Sequence, residues 1–390
     1  MSENFIGTGR SHLSMKSVLD ILGGAQLLLG LSFDVQDVFE EYLSEEHRGF
    51  LSILRVIEED QPLYSRLYRG RGRTPYNDVP FFRAAVGKAV LQIATTEKLI
   101  SRLRSDANFR RICGFTVVPS RASFSRRFSL FAETALMDRT LNGMVDRYLK
   151  GRLIGHISRD STAIEAREKP ENKKREVEEQ PGGKKRRGRP RKSESKAQKK
   201  AKRLARQARQ KASESISELN MKCCWGCKRN SQGNVSFWKG YKLHLDVTDM
   251  GIPVTAVVTG ANVHDSQVAI PMEKLTERRI EHLYSLMDSA YDAKEIRSYI
   301  EGKGRVALID ANRRGGADLR SFDPTEKRRF NIRTTVERAN AHLKDWFFGP
   351  RIYVRGVCKV KFHLMSGVVC LAAVKILQYL ILPEAEALTA

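Results

Sequence analysis

Apolar positions change their period near residue 150. Before it they return every three or four residues, the spacing of helices with one buried face. Residues 81–93 carry this pattern, and Thr96 is placed to cap the stretch Glu97-Lys98-Leu99-Ile100-Ser101-Arg102-Leu103. Asn108-Phe109-Arg110-Arg111-Ile112-Cys113 then runs to Gly114, a residue suited to close a helix, and Pro119 and Ser120 open another through Phe128. Short helices, a tight turn and a Ser/Arg-rich helix start are compatible with helix-turn-helix DNA binding, and equally with a helical bundle that has a basic face.

Beyond residue 150 the pattern becomes that of an α/β protein. Leu153-Ile154-Gly155-His156-Ile157-Ser158-Arg159 reads as a strand leading into Asp160, and Trp238-Lys239-Gly240-Tyr241-Lys242-Leu243-His244-Leu245-Asp246-Val247 alternates like another. Strands are further predicted over 252–258, 282–287 and 306–310, and helices over 266–279, 293–300 and 330–344. Residues 166–211 interrupt this order just after the first strand. They have almost no large apolar side chains, cannot bury a core, and are expected to be disordered when free. The expected organisation is a helical N-terminal DNA-binding domain (1–148), an α/β domain (149–350) split by the insert at 166–211, and a C-terminal helical segment (351–390).

Charge then sharpens the picture. The 390 residues carry a formal charge of +24, with a pI near 9.9, which points to a polyanionic partner. Positions 165–211 hold 20 Lys/Arg against 7 Glu, a net charge of +13, more than half of the total. Within them, Arg187-Gly188-Arg189-Pro190 matches the core of an AT-hook, whose glycine lets the backbone sink into a narrow minor groove while the arginines meet its negative potential. The alternative is a basic tail that binds phosphates without preference. Six cysteines are too few for a disulfide scaffold and indicate a reducing compartment. Cys223, Cys224 and Cys227 include one Cys-x-x-Cys, half of a zinc site, with His244 the nearest histidine; free thiols in a turn before the Trp238 strand are the expected reading. The start of the chain lacks the features of a signal peptide, and the apolar stretch 368–382, broken by Lys375 and Gln378, reads as a buried core helix. A soluble, intracellular, nucleoid-associated protein is expected.

The candidate chemistry is carried by acids. As one helix, residues 330–344 would place Phe330, Arg333, Glu337 and Lys344 on a single stripe. An exposed ion-pair stripe explains such a face; so does a metal-binding glutamate held between two phosphate-gripping cations. Asp160 and Asp288 each end a predicted strand, the arrangement by which a fold converges carboxylates on divalent cations. Asp288 is preferred over Asp292 and Asp310 because Leu286 and Met287 precede it in a buried strand. His264 and Asp265 have two readings, a place near the active site and a turn that orders the fold, and the turn is the expected one.

Phe330-(2)-Arg333-(3)-Glu337-(6)-Lys344 resembles the Tyr-(2)-Arg-(3)-Glu-(6)-Lys signature of DDE transposases from bacterial insertion sequences. Gly240-Tyr241-Lys242-Leu243-His244, Gly260-Ala261-Asn262-Val263-His264-Asp265-Ser266 and Asp288-Ser289-Ala290-Tyr291-Asp292 resemble further motifs of that family, and residues 82–128 resemble its N-terminal helical domain. The resemblance implies a ribonuclease-H-like core, a mixed sheet flanked by helices. In it Asp160, Asp288 and Glu337 would hold two Mg²⁺ or Mn²⁺ ions, and Arg333 and Lys344 would grip DNA. It also implies cleavage at an element's ends, strand transfer into target DNA, and a homodimer acting on two ends. The chain departs from the family at Phe330, which has no hydroxyl, and Glu337 follows Asp288 by only 49 positions, which leaves no room for a long β insertion. The rival readings are a non-catalytic or regulatory DNA-binding relative, and a nuclease without strand transfer.

Overall fold

The computed structural model describes residues 43–58, 76–170, 203–229, 232–312, 322–349 and 351–383. Six helices come first: α1 (Glu45–Glu58), α2 (Asp78–Val90), α3 (Thr96–Ser105), α4 (Ala107–Cys113), α5 (Arg121–Glu133) and α6 (Leu136–Leu149). Their ends follow the expected chemistry. Asn77, Thr95, Asp106 and Ser120 each accept a backbone amide at a helix start, and Gly114 closes α4 at φ 84°. The α3 cap is Thr95, one residue before the Thr96 expected.

A seven-stranded mixed sheet follows, in the order β2-β3-β1-β5-β6. Its centre is β1 (Leu153–Ala166), antiparallel to β3 (Val235–Thr248) and parallel to β5 (Glu281–Met287), with the two-residue β7 (Arg351–Ile352) beside its end. β3 pairs on its other side with β2 (Cys224–Arg229) and then β4 (Pro253–Gly260), and β6 (Val306–Ile309) runs parallel to β5. Gly240 sits where β3 passes from one neighbour to the other; a Cβ there would run into the Ile164 carbonyl oxygen of β1. Helices α9 (Ser266–Thr276), α10 (Lys294–Glu301), α11 (Pro324–Asn331) and α12 (Thr334–Leu343) flank the sheet. A mixed sheet flanked by helices, with a helical region before it, fits the expected α/β class and a ribonuclease-H-like core.

The last long helix, α13 (Val357–Ile376), is largely apolar and, Lys361 apart, buried from Val360 to Ile376. It is long and apolar enough to cross a membrane, but it packs against α2, α5 and α6 and against β4, so it is a core helix, as its sequence suggested. Phe128 and Phe362, 5.6 Å between ring centres, tie α5 to α13, and one hydrophobic cluster runs from Phe50 to Leu380 through strands β1, β3 and β4. The helical region is thereby seated on the sheet through shared core.

The insert departs from expectation at its end. Residues 171–202, with Arg187, Gly188, Arg189 and Pro190, lie outside the described residues. Residues 203–211, expected to be disordered, are ordered: α7 (Arg203–Arg209) is followed by α8 (Ala212–Ser217). Leu204 and Ala208 pack against the Ala269, Tyr291 and Ile296 cluster. Lys274 donates to the carbonyls of Gln207 and Ala208 at 2.8 and 2.9 Å, satisfying acceptors the end of α7 leaves open. The run of charges hid two apolar residues one turn apart. The cysteine segment also differs: Cys224 and Cys227 stand on strand β2, paired with β3, rather than in a turn, and both are free thiols.

Candidate active site

β1 and β5 are parallel, with Ile157 opposite Ser285 and Ser158 opposite Leu286. Two residues further on, this register brings Asp160 level with Asp288; Asp288 follows the end of β5, whereas Asp160, expected to end its strand, lies within β1, which runs on to Ala166 along β3. Asp288 accepts the Ala290 amide at 3.0 Å in a short turn. Helix α12 lies over β1 and β3, and Asn340 on it donates to Asp160 Oδ2 at 3.4 Å. Burial, with the charges of Asp288 and Asp265, pushes the Asp160 carboxyl up to about 6, against the Ser161 amide and Arg333. Burial and Asp265 raise Asp288 as well, opposed by the Ala290 amide, Arg333 and Lys228. Two carboxylates are thus held where ionising both is costly.

Asp265, which the sequence left between a place near the active site and the expected ordering turn, acts on the charge of both acids. It stands at the start of α9, accepts Ser161 Oγ at 2.8 Å and Lys242 Nζ at 2.9 Å, and lies 3.8 Å from His244 Nδ1. Burial pushes its carboxyl up, but the charges of His244 and Lys242 and the two hydrogen bonds prevail and hold it low. It is therefore a fixed negative charge beside the other two. Its signal in the sequence was the Lys242–His244 alternation on β3, which puts both side chains on one face.

The signature segment is not one helix. α11 ends at Asn331, and Arg333 N→Phe330 O (2.9 Å) and Thr335 N→Ile332 O (2.9 Å) tighten the chain before α12 begins at Thr334. Thr335 Oγ1 also donates to the Ile332 carbonyl, the local competition that makes threonine a poor helix-interior residue. The single stripe is therefore corrected. Phe330 is a core residue of α11, packed on Leu286 and Leu308 and 4.8 Å from the Phe322 ring, so it braces the strand that leads to Asp288. Arg333 stands 5.6 Å from the Phe330 ring centre and donates to Glu337 Oε1 at 2.6 Å. Glu337 is about half exposed and faces this arginine. Lys344, at the end of α12, is half-buried; burial and Lys228 lower it, while Asp160 acts the other way. Lys344 and Lys228 share a cleft of about 620 Å³ with Glu165 and Trp238. The same hairpin exposes Trp225 and Phe237, which the sequence did not single out.

Among the described residues no three Asp, Glu, His or Cys side chains stand close enough together to hold a metal ion. The site nonetheless suits a divalent cation in two respects. Its donors are hard oxygens carrying an excess of negative charge. Asn340 Oδ1, on the amide that touches Asp160, is also buried without a hydrogen-bond partner among the described residues.

Directly behind Asp160 lies a second charged group of opposite character. Arg159 points to the other face of β1, is fully buried, and makes paired 2.6 Å hydrogen bonds to Asp246 together with one of 3.0 Å to Glu273. Thr276 completes Asp246 at 2.6 Å, and His282 and Arg305 complete Glu273 at 3.1 and 3.4 Å. Arg159 also donates to the Ala269 carbonyl of α9 at 2.9 Å, so this network locks β1, β3 and α9 at the level of the acids.

The family described as Transposase DDE domain matches residues 152–373, more than half of the chain. A second family, Transposase domain (DUF772), matches residues 37–130, the helical region. No curated protein and no solved structure matches the chain. The protein belongs to the DDE-family transposases of insertion sequences. That domain implies a polynucleotidyl transferase or nuclease activity, in a family generally dependent on divalent metal ions.

Proposed function

We propose that the chain binds the ends of its element, cuts the DNA strand there and joins the freed 3′-hydroxyl to target DNA, in the branch marked by the Tyr-(2)-Arg-(3)-Glu-(6)-Lys signature. The observation that carries the reading is the pair Asp160 and Asp288, level on neighbouring parallel strands, crowded in charge, with α12 laid across them. Asp160 and Asp288 would hold the divalent cations, two Mg²⁺ or Mn²⁺ ions, and Glu337 would join them on releasing Arg333. A cation bound there supplies Lewis-acid activation of the attacking oxygen and neutralises charge at the scissile phosphate.

The chain's own residues supply the rest. Arg333, once free of Glu337, has a guanidinium fork suited to a phosphate, and Lys344 and Lys228 add point charges beside it. The Arg333–Glu337 pair is thus read as a latch between the free and the DNA-bound state. Phe330 keeps the register of the signature and braces β5, with no part in phosphate chemistry. Two ends need two such sites, so the working form is a homodimer. Arg187, Gly188, Arg189 and Pro190 add minor-groove or general phosphate contacts.

The test is an assay of the purified protein with Mg²⁺ and a plasmid carrying the element's ends. Wild type is expected to cut and join them, and Glu337→Ala to do neither. Cutting without joining would leave a nuclease, and Glu337→Ala cutting at the wild-type rate would remove the metal assignment. Because α7 is ordered, the insert is best removed over 172–202 alone; binding should weaken and its salt dependence flatten.

A further inference from the structure

Away from the acids, a cleft of about 350 Å³ opens between the helical region and α13. Its inner wall is Lys88 of α2, only 6% exposed, whose ammonium donates to His363 Nδ1 at 3.3 Å and reaches no carboxylate among the described residues. Arg167, just past β1, and Arg355 and Lys359, beside and on α13, line the same cleft and also make no ion pair among the described residues. The one acid on the wall, Glu97, is held by Arg121. Phe128 and Phe362 form an apolar part of the lining.

A lysine buried with no counter-charge costs several kcal/mol unless something repays it. Here nothing within the described chain does. Burial lowers Lys88 to about 8 and His363 well below its usual range, so at neutral pH the ammonium survives with the neutral imidazole as its acceptor. Four cations around a partly apolar cleft make a strongly positive, poorly screened field. An acidic peptide would need room that a cleft of this size lacks, whereas a tetrahedral anion with an edge of sugar fits it.

We propose that the Lys88–Arg167–Arg355–Lys359 cleft binds a phosphate group of a DNA strand, away from the acids. The assignment rests on the transposase reading above and extends it by giving the junction of the helical region and α13 a grip on DNA. Arg167 and Glu165 are two residues apart at the end of β1, and Glu165 lines the cleft of Lys344 and Lys228, so a strand leaving the acids has a cationic path to Lys88.

Lys88→Met keeps the length of the side chain and removes an uncompensated buried charge, so the full-length variant is expected to be at least as stable as wild type. Fluorescence anisotropy with a duplex bearing the element's end, read across a salt series, should show binding weakened roughly tenfold and a salt slope smaller by about 1. Arg355→Ala, which leaves the core untouched, should act in the same direction. Affinity and slope equal to wild type in both variants would overturn the proposal. In a parallel arm, wild type and Lys88→Met are heated with inorganic phosphate alone. If Lys88→Met abolishes stabilisation by phosphate and leaves DNA binding intact, the cleft takes a free anion and the strand assignment is overturned. Failure of the wild-type chain to bind DNA at all would instead refute the transposition mechanism, and the strand assignment with it, while the phosphate arm still reports on the cleft.

Discussion

Arg159 and Asp160 are neighbours on one strand and opposites in every physical respect. Arg159 enters a buried network in which each charge has a partner: Asp246 and Glu273 accept from it, and Thr276, His282 and Arg305 satisfy what remains. Asp160 faces acids. Its carboxyl is pushed up to about 6, whereas Glu273, though burial pushes it up too, is held down to about 2 by His282, Arg159 and Arg305. A stabilising group is completed by the fold; a functional group is left incomplete, to be completed by something the fold does not contain. The pleat of β1 sends the two side chains to opposite faces, so the closed network can hold the open site in place.

Breaking the closed side should cost most. Arg159→Met strands Asp246 without its cation, leaves Glu273 to Arg305 and His282, and is expected to destabilise the protein by about 3–5 kcal/mol, read from urea unfolding. A loss under 1 kcal/mol would mean the network is not what holds β1. Breaking the open side should do the reverse. Asp160→Asn is expected to reduce end cleavage by at least about a hundredfold. It should also abolish the rise in melting temperature that Mn²⁺ gives wild type. The metal-free variant should be as stable as wild type or more so above pH 6, because a raised carboxyl opposes folding once it ionises. A variant that keeps the Mn²⁺ shift would remove Asp160 from the ligand set.

The pH dependence separates the two groups further. Glu273 has a lowered carboxyl, so its stabilisation is present above its ordinary value of 4.5 and is lost as pH falls from there towards 2. Glu273→Gln should therefore flatten the acid limb of the urea midpoint against pH; an unchanged limb would assign it to other acids. Asp265→Asn is expected to slow cleavage more modestly, about tenfold, since it removes a fixed charge rather than a proposed ligand. The smallest effect concerns the latch. Glu337→Gln should change stability by no more than about 0.5 kcal/mol, the worth of an exposed pair one turn apart, while abolishing cleavage. A large stability loss would make Glu337 a structural residue.

Much of this was legible in the chain. Helices α2 to α5, strands β1 and β3 to β6 and the buried α13 follow from apolar period and from caps such as Asp106, Ser120 and Gly114, because these are interactions between residues close in sequence. Asp288 could be singled out because a strand end is a local property; the same rule picked Asp160, although β1 runs on past it to Ala166 because β3 pairs with it there. The break at Ile332–Arg333 was missed because helical spacing alone does not register the Thr335 hydroxyl competing for the Ile332 carbonyl. Order in α7 was missed because Leu204 and Ala208 are too few to signal a core until α9 and α10 supply the other side.

The sequence alone determined most of the elements and their order, and which side chains could bear phosphate chemistry. Tertiary structure decided which of them meet. The parallel register of β1 and β5 levels Asp160 with Asp288, the α9 turn brings Asp265 beside them, and Arg333 claims Glu337 in the free chain. It also decided that Lys88 should face His363 across 275 residues, in a cleft whose other cations are Arg167 past β1 and, close to His363 in the chain, Arg355 and Lys359. Contacts at that separation depend on the packing of whole elements, and no local pattern records them.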